Sequence, residues 1–211
     1  MQSITTLYIP QTGQSFDFKK SRRFSGGFTG QMINSNEITV KKITLRRLQG
    51  YADIQNTRSQ CEKCPRYNNS WSCPPCTPDI TRYAGKYRFA YVIAVKVGYP
   101  KEMCGSEDER AQLVSERTEY YDMQRRRIQT MLLGLEKKYP GTYSVSTCLI
   151  CERCARSEGQ PCRHPDRMRY SMTTLGFDFT RLLKDEFNIE LTWSGEKLSA
   201  YDYIVAALFT P

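Results

Sequence analysis

The stretch Thr142-Tyr-Ser-Val-Ser-Thr-Cys148-Leu-Ile-Cys151-Glu-Arg-Cys154, closed by Cys162-Arg163-His164-Pro165, decides how the chain is to be read. Residues 142–147 alternate as a strand and deliver the chain directly into the first cysteine. Upstream, residues 107–139 read as one long helix with Tyr120, Ile128, Met131, Leu132 and Leu135 on one face. Pro140 and Gly141 stop it. Of the triplet Arg125, Arg126 and Arg127, part must lie on the solvent side. Before the helix, residues 87–97 (YRFAYVIAVKV) form an apolar, β-branched run that reads as a buried strand. Strand, helix, strand is a βαβ unit, whose two strands are parallel if they share a sheet.

Working outward, Pro165 suits the first turn of a helix running through Arg169, Ser171 and Met172, with Gly176 as its C-cap. A helix over 179–187 leads to a strand at 189–193, a turn at Ser194-Gly195 and a last strand at 203–209. On the N-terminal side, residues 37–48 suggest a strand or two ending at Gly50. Residues 1–36 are polar and glycine-rich, and are expected to form a partly ordered arm or a surface hairpin. The expected fold class is α/β: a mixed sheet with a βαβ unit, one long helix and two irregular cysteine-rich metal-binding loops at one edge or end. The expected organisation is an arm over 1–36 and a single domain over 37–211.

Four thiols within fifteen residues, spaced C-x2-C-x2-C-x7-C, exceed what a tetrahedral zinc site usually draws from one segment. Two residues between cysteines lets neighbouring thiolates converge on one inorganic centre, and three in such a row feed three corners of a cubane. Cys148, Cys151, Cys154 and Cys162 are therefore read as the ligands of a 4Fe–4S cluster, with a zinc site on the same sulfurs as the bland alternative. Arg163 and His164 adjoin a ligand, where a cation stabilises the reduced and more negative centre. His164 is the chain's one histidine. It reads as a structural neighbour, a donor to the centre or a proton carrier, ahead of direct ligation.

An earlier group is spaced C-x2-C-x8-C-x2-C, with Cys61, Cys64, Cys73 and Cys76 as candidate metal ligands. Pro65, Pro74, Pro75 and Pro78 exclude a continuous helix there, so the segment is a rigid, irregular loop. Paired C-x2-C knuckles suit zinc or a rubredoxin-like site. Against zinc, Pro74 and Pro75 offer no N–H to a ligand sulfur. A second 4Fe–4S cluster, shielded by Trp71 and Tyr67, is the equal alternative, and one centre shared by both loops also fits the spacing. Cys104, the ninth cysteine, reads as a surface thiol, or as a reactive one if it begins a helix.

Composition bounds the rest. Hydrophobic residues make up 39% and charged residues 25% of 211, as in a soluble globular chain. No apolar run is long enough to cross a bilayer. The N-terminus lacks a basic start followed by an apolar run, so no secretory signal is expected. Nine cysteines then read as reduced ligands in a cytoplasm rather than as disulfides. The net charge of +9 favours an acidic redox partner protein or a small anionic substrate. Part of it offsets the anionic centre, through Arg153, Arg156, Arg163, Arg167 and Arg169, so nucleic acid is not the favoured partner.

The fragments Cys64-Pro65, Trp71-Ser72-Cys73-Pro74-Pro75, Cys151, Cys154, Pro161-Cys162-Arg163-His164-Pro165, Arg169, Ser171-Met172 and Leu175-Gly176 resemble a family of cysteine-rich proteins. It is described as a predicted metal-binding domain of unknown function, found mostly in anaerobic bacteria and archaea. The resemblance runs from about Cys61 to the C-terminus and implies a cytoplasmic, iron–sulfur metal protein without supplying a reaction. In that family an aromatic residue usually takes the place of Cys76, which implies Cys61, Cys64 and Cys73 as the shared ligands.

Three functions follow as expectations. The first is an iron–sulfur protein with two 4Fe–4S clusters acting in electron transfer or cluster-based redox chemistry. The second is an enzyme, an iron–sulfur oxidoreductase or a cluster-dependent lyase or hydrolase, whose open iron at Cys61/Cys64/Cys73 binds substrate as a Lewis acid. The third is a zinc-stapled basic module that binds nucleic acid in a salt-sensitive way. No nucleotide or dinucleotide fingerprint is present.

Overall fold

The computed structural model describes residues 6–9, 14–17, 38–78, 80–104, 110–191 and 198–211. Within the N-terminal arm, β1 (Thr6–Ile9) and β2 (Gln14–Asp17) pair antiparallel. The rest of the arm, residues 107–109 and the Ser194-Gly195 turn lie outside the described residues.

The α/β character is as the sequence suggests. A four-stranded sheet in the order β3-β4-β6-β5 is built from β3 (Ile38–Thr44), β4 (Phe89–Gly98), β6 (Tyr201–Thr210) and β5 (Tyr143–Val145). Every neighbouring pair is antiparallel. β4 and β5, joined by the long helix α4 (Arg110–Lys138), run in the same direction in one sheet. Because β6 inserts between them, the βαβ unit is split and its strands share no ladder.

Period-two alternation sorts the strands into two faces. Ile38, Val40, Tyr91, Ile93, Val95, Ile204, Ala206 and Leu208 pack against Ile128, Leu132 and Leu135 of α4 and against Tyr139 just past its end. Ile43, Ala90, Val92, Ala94, Ala207 and Phe209 face the other way. That second face is covered by α1 (Leu45–Gln49), α3 (Ile80–Ala84) and α5 (Phe179–Phe187), together with Tyr51, Met172, Leu175 and Phe177. Helices thus cover both faces of the sheet, a layered solution that buries its two apolar surfaces.

Three local expectations are corrected. Residues 45–49 are helical rather than extended, because the Thr44 hydroxyl accepts the Arg47 N–H and caps a new helix. Residues 165–176 form turns rather than a helix. The Arg169 guanidinium takes up the carbonyls of Asp166 and Met168, and Ser171 and Thr174 exchange backbone-to-hydroxyl bonds, diverting the groups a helix would pair. Residues 189–191 carry no strand ladder among the described residues. Ile189 and Leu191 pack as loop side chains on the core after Asn188 closes α5 in a left-handed conformation.

Gly176 does end a helical turn, though a single one. Its N–H reaches the Thr173 carbonyl and the Phe177 N–H reaches Met172, a Schellman closure that needs the observed φ of +92°. Its own carbonyl accepts from Asp53, which caps α2 (Ile54–Glu62). The first cysteine helix is thereby tied to the segment that follows Cys-Arg-His-Pro.

Candidate metal centre

The second cysteine loop leaves the sheet from β5, at the edge opposite β3. Its backbone is held by α4. The Arg126 guanidinium donates to the Leu149 carbonyl at 2.8 Å, and the Leu149 N–H donates to Gln129 Oε1 at 2.9 Å. With both peptide groups satisfied and Leu149 buried, the turn between Cys148 and Cys151 has little freedom. Cys154 precedes a 3-10 turn over Ala155–Glu158 that closes at Gly159 with φ +68° and aims the chain back towards Cys162.

Cys148, Cys151, Cys154 and Cys162 all line one recess of about 390 Å³, counting its open mouth. Arg163, His164, Met168, Ile150 and Ala155 complete the wall contributed by this loop. Ser70, Trp71 and Ser72 of the first loop complete the rest. The four thiols assigned together from spacing thus all border this recess, and Arg163 and His164 border it with them. Trp71, expected over the first cysteine set, instead walls the second. The density of arginines is only partly an offset for an anionic centre. Arg163 pairs with Glu158 at 3.0 Å, Arg169 is bound to Glu136, and Arg156 reaches into the first loop.

The first group begins on α2, whose C-terminal end carries Cys61. Cys64, Cys73 and Cys76 follow on tight turns, with the Cys64 N–H on the Cys61 carbonyl and the Cys76 N–H on that of Cys73. A cis bond joins Pro74 and Pro75, and the Asn68 N–H donates to the Pro74 carbonyl. Burial pushes the Cys61 and Cys73 thiols up, Cys61 further so beside Cys64, while the Ser70 and Ser72 hydroxyls oppose the rise at Cys73. These thiols are protonated at neutral pH unless a cation displaces the proton, which is how thiol ligands bind metal. Cys104 lies apart, closing the 3-10 turn Lys101–Met103 with its thiol on the Pro100 carbonyl. It does not begin α4.

The two loops are in direct contact. Trp71 Nε1 donates to the Gln160 carbonyl at 2.9 Å. Arg156 donates to Asn68 Oδ1 at 2.7 Å and lies 4.5 Å over the Trp71 ring. Burial raises the Tyr170 hydroxyl, and Tyr143, Cys76 and Cys162 raise it further.

Sequence reasoning missed the platform under both loops. Asp122, Arg126, Gln129 and Glu136 recur at helical spacing along one stripe of α4. Asp122 binds Arg66 of the first loop at 2.6 Å, and Arg126 and Gln129 grip Leu149. Glu136 holds Ser144 of β5 and Arg169. The signal was present as polar residues at four, three and seven, beside the apolar stripe that drew attention.

The donor set can be tested against a metal group. Among the described residues, no group of three or more His, Cys, Asp or Glu side chains is arranged to hold a single ion. A tetrahedral zinc–thiolate site would need its sulfurs about 3.8 Å apart, from Zn–S bonds of about 2.3 Å. A cubane places each thiolate on a different iron and asks for sulfurs spread round a recess. Three buried polar atoms beside the loops have no hydrogen-bond partner: Thr77 Oγ1 next to Cys76, Ser146 Oγ two residues before Cys148, and Gln129 Nε2. Leaving such a donor unpaired costs about 1–3 kcal/mol, and sulfur acceptors would satisfy it. Tyr139 and Thr210 are unpaired elsewhere in the core, so the effect is not confined to the loops. Four thiol donors bordering one recess fit a metal–sulfur group.

The fold and loops define an α/β protein that presents two cysteine sets side by side on one sheet edge. The chain belongs to the family described as Predicted metal-binding protein (DUF2284), whose profile matches residues 49–209. No curated protein and no solved structure matches it. Among the described residues, no helix is long and apolar enough to cross a membrane.

Proposed function

We propose that the chain is an iron–sulfur protein carrying two 4Fe–4S clusters, one on Cys148, Cys151, Cys154 and Cys162 and one on Cys61, Cys64, Cys73 and Cys76. The carrying observation is that all four thiols of the second set line a single recess. Such a group, when bound, supplies one-electron chemistry. The chain's own part is to fix the thiolates, exclude water and supply donors. Leu149 is clamped between Arg126 and Gln129, Met168 and Trp71 shade the recess, and Arg163 and His164 place polarity at its wall. N–H and side-chain donors around sulfur, with local charge, set the potential of such centres. The net charge of +9 suits an acidic redox partner.

An enzyme with an open iron at Cys61, Cys64 and Cys73 is the second reading, in which Cys76 is not a ligand. Iron, sulfide and zinc content of anaerobically purified protein, with its visible spectrum, tests the proposal. About eight iron and eight sulfide per chain are expected, from four of each per cubane on two cysteine sets. Zinc alone overturns both iron readings. A spin-resonance signal shifted by small anions would favour the open iron.

A further inference from the structure

We propose that the two cysteine loops load as one unit joined by Trp71, so that filling either set of thiols raises the affinity of the other. This rests on the reading that both sets hold metal, though not on which metal. Trp71 lies two residues before Cys73, at most about 7 Å along an extended chain. Yet its ring belongs to the wall around Cys148, Cys151, Cys154 and Cys162.

The contacts that join the loops all start close to a ligand. Trp71 donates to Gln160, two residues before Cys162. Arg156, two residues after Cys154, donates to Asn68 between Cys64 and Cys73. Residues 63–76 are turns and bends throughout, held by their own turn bonds and by Arg66 on Asp122, and the cysteines and these cross-loop contacts complete their ordering. Fixing each residue costs backbone entropy. Metal at the first set prepays that cost and sets Trp71 in place, and the second set then binds with its wall complete. By linkage the effect is mutual and equal in both directions. Trp71 is here a positioning residue rather than a ligand.

The test is metal-neutral. As-purified protein is alkylated under anaerobic conditions, labelling is followed peptide by peptide by mass spectrometry, and bound metal is counted. Trp71→Leu keeps all eight candidate ligands. It is expected to label Cys148, Cys151, Cys154 and Cys162 about tenfold faster than wild type, within the range typical of coupled sites. Cys61→Ser is expected to do the same to the second set, and Cys154→Ser to expose Cys61, Cys64, Cys73 and Cys76 by a matching factor. If Cys61→Ser loses only its own site's metal while the second set stays protected at the wild-type rate, the coupling is overturned. Should Cys61→Ser fail to fold, unchanged protection in Trp71→Leu overturns it equally. Zinc in place of iron would sink the iron–sulfur reading and leave the coupling standing. Wild-type thiols that label as freely as unbound ones would sink both.

Discussion

Replacing Glu136 by Gln should destabilise the protein far more than its size suggests. The carboxylate side chain is 12% exposed, and the guanidinium of Arg169 that it binds is 6% exposed. Arg169 donates through both Nε, at 2.9 Å, and Nη2, while Ser144 donates through its N–H at 2.6 Å and its hydroxyl. Gln keeps the shape and one acceptor oxygen but leaves a buried cation without its counter-charge. Removing one member of a buried pair costs about 3–5 kcal/mol, because the survivor stays desolvated. At about 2–4 °C per kcal/mol for a chain of this size, the melting temperature should fall by about 6–20 °C. Thermal unfolding of the as-purified protein, followed by circular dichroism, measures it. A double variant Glu136→Gln/Arg169→Met should recover much of the loss, since no uncompensated charge remains. A Glu136→Gln protein within about 1 kcal/mol of wild type would refute the reasoning and reduce the pair to a surface one.

Gly176→Ala should cost about 1–3 kcal/mol, from a left-handed φ and an added Cβ only 2.8 Å from Ile54 Cγ1; denaturant midpoints test it. Burial pushes the Glu186 carboxyl up, but Lys41, Arg47 and Tyr51 outweigh that and hold it below its ordinary value of 4.5. Its stabilisation is therefore complete above about pH 4.5 and is lost as pH falls through the lower folded value. Glu186→Gln should be less stable than wild type at neutral pH, and the gap should close on acidification; a gap independent of pH would contradict this. Arg126→Met frees the Leu149 carbonyl from a charged donor worth about 1.5–3 kcal/mol. Hydrogen exchange should quicken over residues 148–154 and not in β4 or β6. If both sets hold metal as proposed, chelation should raise exchange over 61–76 and 148–164 while the four-stranded sheet, ordered by apolar burial, stays protected.

The long helix, β4, β6 and α5 were legible because their periodicity is set by burial on one or two faces. The grouping of the second cysteine set was readable because its four thiols sit on one short segment, and all four border one recess. Residues 165–176 misled because side chains of Arg169, Ser171 and Thr174 compete for backbone groups, and local propensity does not show which competitor wins. Residues 45–49 misled because a helix of that length leans on one cap and on Leu45 and Leu48 in the core.

The sequence by itself determined two spaced sets of four cysteines with a ninth apart, a strand feeding one set, and one long helix between strands. Spacing along a chain fixes which thiols can converge, because a few residues have little reach. Only the tertiary structure decided that β6 would split the βαβ unit, since strand order follows from contacts between segments far apart in the chain. It alone brought Trp71 to the wall of the other loop's recess and stood both loops on the polar stripe of α4. Those placements depend on side chains meeting across more than twenty residues, and nothing in local spacing encodes a partner at that distance.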